Sequence, residues 1–424
     1  MNRKNTKVGI IGLGYVGLPL AIEFSRSFNV LGFDTNENKV QSLLNGVDPS
    51  GEVPPTILKT SKDINFSSDE TLINHMDFIV IAVPTPVDHS NQPKLEILLE
   101  ATRIVADNIK KGATIIFEST VYPGTTEELC IPYIEKVSGL VWKKDFFIGY
   151  SPERVSPGDS SKSLRNVVKI VSADSEDTLI KIESLYEKII DAGLYSAKSI
   201  KIAEAAKVVE NTQRDVNIAL MNELSMIFNR LDINTQDVLD AASTKWNFHN
   251  YSPGLVGGHC IGVDPYYLTY KAQDVGIYPK LILTSREINN NMVDYISEKI
   301  LSSGAENILV LGCTFKENCS DLRNSKPIEV IQRLMDEDKN VTVHDPFLPE
   351  KTETNQSMNL NLKDWSNISK TFDYIFYAVK HDFYAALDKH ELFSKLKENG
   401  TILDVKSVLK SEDVGRKDIN LIHL

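Results

Sequence analysis

Short apolar runs alternate with stretches of helical periodicity through the first third of the chain. Lys7–Ile11, Val30–Phe33, Phe78–Val83 and Thr114–Glu118 are rich in Val, Ile or Phe and bounded by Gly, Asp or Pro. Runs of this kind predict strands buried on both faces. Leu95–Ile109, with apolar residues at helical spacing, predicts one of the intervening helices. The alternation implies a parallel sheet with helices on both sides.

The pattern returns near the far end. Asp77–Val83 (DFIVIAV) is echoed by Asp373–Val379 (DYIFYAV), and Gly112–Ile116 by Gly400–Leu403. Val8–Gly12 resembles Ile308–Gly312, and Phe33-Asp34 resembles His344-Asp345. Four echoes in one order predict two related doubly wound domains. The plainer alternative is that all buried parallel strands look alike. Between the two, Ile200–Leu231 contains neither Pro nor Gly and is dominated by helix formers. It predicts a rod of roughly 45 Å at 1.5 Å per residue, connecting the two sheets. Glu204, Lys207, Asn211 and Arg214 step by three and four along it and are predicted to share a face. For a generic helix such a line is simply the solvated side.

Composition bounds what this architecture can do. A chain of 424 residues, 42% hydrophobic and 25% charged, has the makeup of an ordinary globular protein of two or three domains. Lys+Arg 46 against Asp+Glu 58 leaves a net charge of -12. That balance argues against nucleic acid or an anionic membrane as partner, though not against a small anion held by a few local cations. Cys130, Cys260, Cys313 and Cys319 form neither a disulfide framework nor a zinc-binding rhythm. No metal is expected, and a reducing cytoplasm is. Arg3, Lys4 and Lys7 precede an uncharged stretch, Val8–Ile22, that superficially resembles an export signal. Gly12, Gly14, Gly17 and Pro19 interrupt it, no small-residue cleavage site follows, and it is shorter than the roughly 20 residues of a membrane span.

Two motifs carry chemistry. Gly12-Leu13-Gly14-Tyr15-Val16-Gly17 follows a strand and opens a helix. The first glycine permits the tight turn, the second lets a pyrophosphate approach the backbone, and the third allows close helix–strand packing. Asp34 then closes the second strand, where a carboxylate can bind a ribose 2′-hydroxyl. Thr35 and Asn36 follow it rather than an arginine, which favours NAD over NADP. The fold class expected is therefore α/β, with two Rossmann-like doubly wound parallel-sheet domains joined by a long central helix. The expected parts are residues 1–198, which bind NAD, a connector at 199–296, and a second sheet domain at 297–424. The second motif, Gly257-Gly258-His259-Cys260-Ile261-Gly262-Val263-Asp264-Pro265, frames a thiol with glycines. Such a thiol is placed to add to a carbonyl, and a carboxylate four residues on can order a water or take a proton. The competing fate is a buried, inert cysteine, which is assigned to Cys130, Cys313 and Cys319.

With these stretches in hand the chain resembles, along nearly its whole length, the UDP-glucose/GDP-mannose dehydrogenase family. The resemblance rests on GLGYVG from Gly12, VPTP from Val83, ESTVYPGTT from Glu118 and SPERVSPG from Ser151. It continues in EAAKVVENTQRDVNIALMNEL from Glu204, GLVGGHCIGVDPYYL from Gly254 and GCTFKENCSDLRNS from Gly312. It implies an NAD-dependent, four-electron oxidation of a nucleotide sugar at C6, in a homodimer built on the central helix. It implies Cys260 as nucleophile, through a thiohemiacetal and a thioester. Lys207 and Asn211 would stabilise the C6 oxygen, and Asp264 would act with Lys207 and a water. Glu153 is implied in thioester hydrolysis, and Thr120 lies near water and nicotinamide. The implied NAD residues are Gly12, Gly14, Tyr15, Val16, Gly17, Asp34, Lys39, Thr85 and Thr120, with Arg323 from the far domain. The implied substrate residues are Arg154, Val155, Lys207, Asn211, Arg214, Gly254, Phe315, Lys316 and Lys406.

Departures within the family point to a branch. Where the UDP-glucose branch tends to carry a second glutamate after Glu153, this chain has Pro157, and before Asp264 it has Val263 rather than lysine. The pairing of SPERVSPG with GGHCIGVDPYYL resembles the branch acting on UDP-N-acetylhexosamines, with N-acetylglucosamine and N-acetylgalactosamine left open. That branch supplies uronic acids for bacterial surface polysaccharides. UDP-glucose is the nearest rival substrate. A two-electron β-hydroxyacid dehydrogenase and a non-catalytic NAD-responsive module are remoter alternatives, which Cys260 and the Gly312 sheet disfavour.

Overall fold

The computed structural model describes residues 6–155, 163–349, 358–410, 412, 414–416 and 418–424. Two compact units emerge: Met1–Glu210 with Tyr266–Ile277, and Asn211–Pro265 with Tyr278–Leu424. The helix Ile200–Arg230 runs from the first into the second. Its 31 residues correspond to about 47 Å.

The first unit is built on eight strands: β1 (Lys7–Ile11), β2 (Asn29–Phe33), β3 (Ile64–Ser67), β4 (Phe78–Ile81), β5 (Thr114–Phe117), β6 (Phe147–Tyr150), β7 (Lys169–Ala173) and β8 (Leu194–Ser196). Their order is β3-β2-β1-β4-β5-β6-β7-β8. The direction of winding reverses between β1 and β4, which opens a crevice at the carboxyl ends of the strands. Successive residues face opposite layers. Phe78 and Val80 join the core of Leu18, Ile182 and Leu185, whereas Ile79 and Ile81 join that of Leu98, Ala101 and Val105. This is why the strands read as unbroken apolar runs. One pair departs from the parallel expectation, because β6 and β7 are antiparallel. The described residues that lead into β7 include a short 3-10 turn, Leu164–Asn166.

The second unit carries β9 (Asn307–Leu311), β10 (Asn340–His344), β11 (Phe372–Tyr377), β12 (Leu396–Asp404) and β13 (Asn420–His423), all parallel in the order β10-β9-β11-β12-β13. The echoes seen in sequence extend to individual hydrogen bonds. Gly12 N donates to Phe33 O at 2.8 Å, as Gly312 N does to His344 O at 2.8 Å. Leu13 N donates to Asp34 Oδ2 at 3.0 Å, as Cys313 N does to Asp345 Oδ2 at 2.8 Å. Asp77 takes Lys7 N and the ammonium of Lys110, as Asp373 takes Asn307 N and that of Lys397. Shared bonding of this detail goes beyond the general likeness of buried strands.

Candidate active site

In the first unit the glycine loop has the shape its sequence requires. Gly12 has φ +92°, a conformation costly for a residue with a Cβ. A Cβ on Gly17 would lie 1.8 Å from Gly12 O, so only glycine lets the helix Gly17–Ser25 start this close to β1. A Cβ on Gly14 would meet nothing within 4 Å, so the space above the loop is open to a pyrophosphate. Tyr15 and Val16 lie between these two glycines, immediately before the helix. Asp34, at the carboxyl end of β2, accepts from Leu13 N and from Lys39 Nζ at 2.8 Å. Lys39 is thus tied to the Asp34 carboxylate. Thr85 Oγ1 donates to Thr120 O at 2.6 Å, which joins the ends of β4 and β5. The residues present fit a dinucleotide.

The same unit holds Glu153, Arg154, Val155 and Lys207. Lys207 Nζ is 3.9 Å from Glu153 Oε2, with side chains 6% and 13% exposed. Glu153 accepts from Val155 N. Burial pushes the Glu153 carboxyl upward, while Lys207 and then Lys169 pull it down. Arg154 pairs with Glu210 at 2.7 Å and donates to Val168 O. Lys207 and Arg154 thus each face a carboxylate, Glu153 and Glu210. Glu204 takes Gly124 N at 2.6 Å and Thr126 N at 2.9 Å, so this residue fastens the loop after ESTV. Burial pushes its carboxyl up to about 7 against those hydrogen bonds. Pro157 lies outside the described residues.

In the second unit Asn211 Nδ2 donates to Asp264 Oδ2 at 2.6 Å, and both residues are buried. Asp264 N donates to Cys260 O at 2.8 Å, and a helix runs from Asp264 to Asp274. Cys260 is part-buried, unlike the buried Cys130 and Cys313. Its loop is seated against residues 315–324. Gly258 has φ +80°, and a Cβ there would meet Phe315 at 2.5 Å. Gly258 N donates to Asn324 O at 3.1 Å. Next to the thiol, His259 Nε2 is 3.0 Å from Asp321 Oδ2, and Arg323 pairs with the same carboxylate at 2.8 Å. Burial works against the Asp321 charge, but the hydrogen bonds from His259 and Arg323 hold its carboxyl well below the usual range. Lys316 is part-buried in this same loop. Lys406 Nζ reaches Pro253 O at 3.1 Å, beside Gly254. Gly254 is in turn clamped by Asn222, which donates to its carbonyl at 3.0 Å and accepts from its amide at 2.8 Å.

Arg214 departs from the predicted helix face. It is exposed, and the buried line after Asn211 continues through Asp215 and Asn222. Four residues advance a helix by slightly more than one turn and three by slightly less, so the buried face follows Asp215.

The family's NAD-binding domain matches residues 6–190, its central domain 201–291 and its UDP-binding domain 309–411. The chain belongs to the UDP-glucose/GDP-mannose dehydrogenase family. It is 47% identical over 418 residues to Protein CapL of Staphylococcus aureus, covering 97% of this chain and 98% of that one. It is 44% identical over 414 residues to the UDP-N-acetyl-D-glucosamine 6-dehydrogenase of Salmonella typhi, covering 96% and 97%. Among solved structures, the UDP-N-acetyl-mannosamine dehydrogenase Cap5O of S. aureus superposes with a TM-score of 0.84 at 30% identity, covering 99% and 98%. The chain is accordingly an NAD-dependent nucleotide-sugar dehydrogenase. Among the described residues no helix is long and apolar enough to cross a membrane.

Sequence reasoning missed two groups that this dehydrogenase places beside its candidate residues. One is the His259–Asp321 pair, whose signal was the histidine next to the thiol. The other is a buried set of Glu118, Lys169 and Tyr186, for which the glutamate opening ESTV was the only hint.

Proposed function

We propose that this enzyme oxidises C6 of a UDP-N-acetylhexosamine, N-acetylglucosamine or N-acetylgalactosamine, to the uronic acid. The reading includes a supply role in bacterial surface polysaccharide synthesis, a cytoplasmic location and a homodimer. The observation that carries it is the Asn211–Asp264 pair one helical turn from the part-buried, glycine-framed thiol of Cys260. A buried amide and carboxylate beside a part-buried thiol suit aldehyde chemistry, and the identity to the Salmonella typhi enzyme supports the N-acetylhexosamine branch.

In this reading Gly14, Asp34, Lys39, Thr85 and Thr120 hold NAD, which accepts a hydride in each of two oxidations. Asp264 orders the water that takes the C6 hydroxyl proton. Lys207 and Asn211 offset the negative charge that develops on that oxygen. Cys260 Sγ then adds to the aldehyde carbon and the oxygen takes up a proton, giving a thiohemiacetal. Loss of the second hydride and of that proton leaves a thioester. Glu153 removes a proton from water as it attacks the acyl carbon, the C–S bond breaks, and thiol and uronate separate. The thioester keeps a reactive aldehyde from escaping. Arg154, Val155, Arg214, Gly254, Phe315, Lys316, Arg323 and Lys406 are assigned to binding.

The dimer has its own support on the long helix. Ile202, Val209, Leu220 and Ile227 are each roughly half exposed. Their spacings of seven and eleven residues keep them on one stripe, which a second copy would cover.

Turnover of UDP-N-acetylglucosamine, UDP-N-acetylgalactosamine, UDP-N-acetylmannosamine and UDP-glucose, compared as kcat/KM, tests the substrate. One of the first two should lead. A strong preference for UDP-glucose or UDP-N-acetylmannosamine would overturn the choice.

A further inference from the structure

The first unit buries a lysine, a glutamate and a tyrosine that no step above uses. Lys169, the first residue of β7, places Nζ 2.8 Å from Glu118 Oε2, with side chains 2% and 1% exposed. Tyr186 donates to the other oxygen of Glu118 at 2.5 Å. A buried ion pair is weak ground for stability, because desolvating both charges offsets most of their attraction. Apolar side chains would fill this part of the core as well, so the arrangement asks for another reason.

That reason lies in what else the lysine holds. Its ammonium also donates to Pro152 O at 3.0 Å, the carbonyl immediately before Glu153. Ser151 Oγ donates to Ile170 O at 2.8 Å, pinning the same segment to β7. Two residues of β7 therefore hold the segment just before Glu153, while Lys207 faces Glu153 from the long helix. We propose that Lys169, held by Glu118 and Tyr186, is the positioning residue for Glu153, and that it governs thioester hydrolysis without acting in hydride transfer. The lysine's charge also works in the right direction, since it opposes the upward push that burial gives Glu153. A base must be ionised to take a proton from water. The inference rests on the reading of Glu153 as that base.

The test is a single-enzyme-turnover experiment with saturating NAD. It follows the NADH burst and, by intact-protein mass, the fraction of Cys260 carrying an acyl group. Glu153→Gln should accumulate acyl-enzyme after a normal burst. Lys169→Met should do the same, with steady-state turnover down about 100-fold, the low end for a general base. Lys169→Arg should recover part of that loss. Tyr186→Phe, which removes one oxygen and keeps the shape, should accumulate acyl-enzyme more weakly and decides the matter if Lys169→Met does not fold. Should Glu153→Gln accumulate acyl-enzyme while Lys169→Met and Tyr186→Phe turn over normally, the positioning role is wrong and the Glu153 reading stands. Variants that slow the NADH burst as much as hydrolysis would likewise overturn it, since general loosening does that. If Glu153→Gln itself shows no acyl-enzyme, the underlying reading of Glu153 fails and takes this inference with it.

Discussion

Cys260→Ala makes no uronic acid and still binds NAD. The thiol belongs to the second unit, whereas the glycine loop is secured within the first, by Gly12 N on Phe33 O and by Leu13 N and Lys39 on Asp34. Removing one sulfur disturbs none of those bonds. In the proposed reaction it removes the atom that captures the aldehyde, and without a covalent hemiacetal the second hydride would have no bound donor. Titrating the variant with NAD while assaying uronate by mass spectrometry separates the two effects. Uronate formation at the native rate would remove Cys260 from the chemistry.

Lys207→Ala loses most of its turnover. A preorganised donor aimed at a developing oxyanion contributes roughly 3–4 kcal/mol, so kcat should fall by about 10²–10³. The geometry adds a second cost. The Lys207 side chain is 6% exposed and faces Glu153 at 3.9 Å, so its loss leaves that buried carboxyl with a weaker cationic field and a carboxyl pushed further upward. Both effects lower kcat and neither requires a large change in KM. Stopped-flow measurement of the first NADH burst isolates the oxyanion part. An unchanged burst and unchanged turnover would exclude Lys207 from the site.

Much of the scaffold was readable because its rules are local. Burial on both faces makes β1, β4 and β5 readable as unbroken apolar runs, and the absence of Pro and Gly from 200 to 230 leaves a helix no place to stop. Gly12 and Gly17 announce themselves since no other residue fits their geometry. The parts that escaped depend on partners far apart in sequence. Lys169 meets Glu118 across 51 residues, Tyr186 meets it across 68, and His259 meets Asp321 across 62. No spacing rule reports such contacts. The antiparallel turn of β7 escaped for a related reason, because an apolar run carries no sign of its direction. Arg214 was misplaced by a smaller margin, since the helical repeat lets either a step of three or of four stay near a face. Asp215, ionically paired to Arg286 at 2.6 Å, takes the buried position.

The central claim is that one active site carries its sugar through two oxidations without releasing the aldehyde. The NADH formed per uronate made by the native enzyme measures this directly, with purified UDP-N-acetylhexosamine and NAD as the only reactants. The account predicts two NADH for every uronate and no free aldehyde. A ratio of one, or an aldehyde that accumulates in solution, would contradict it.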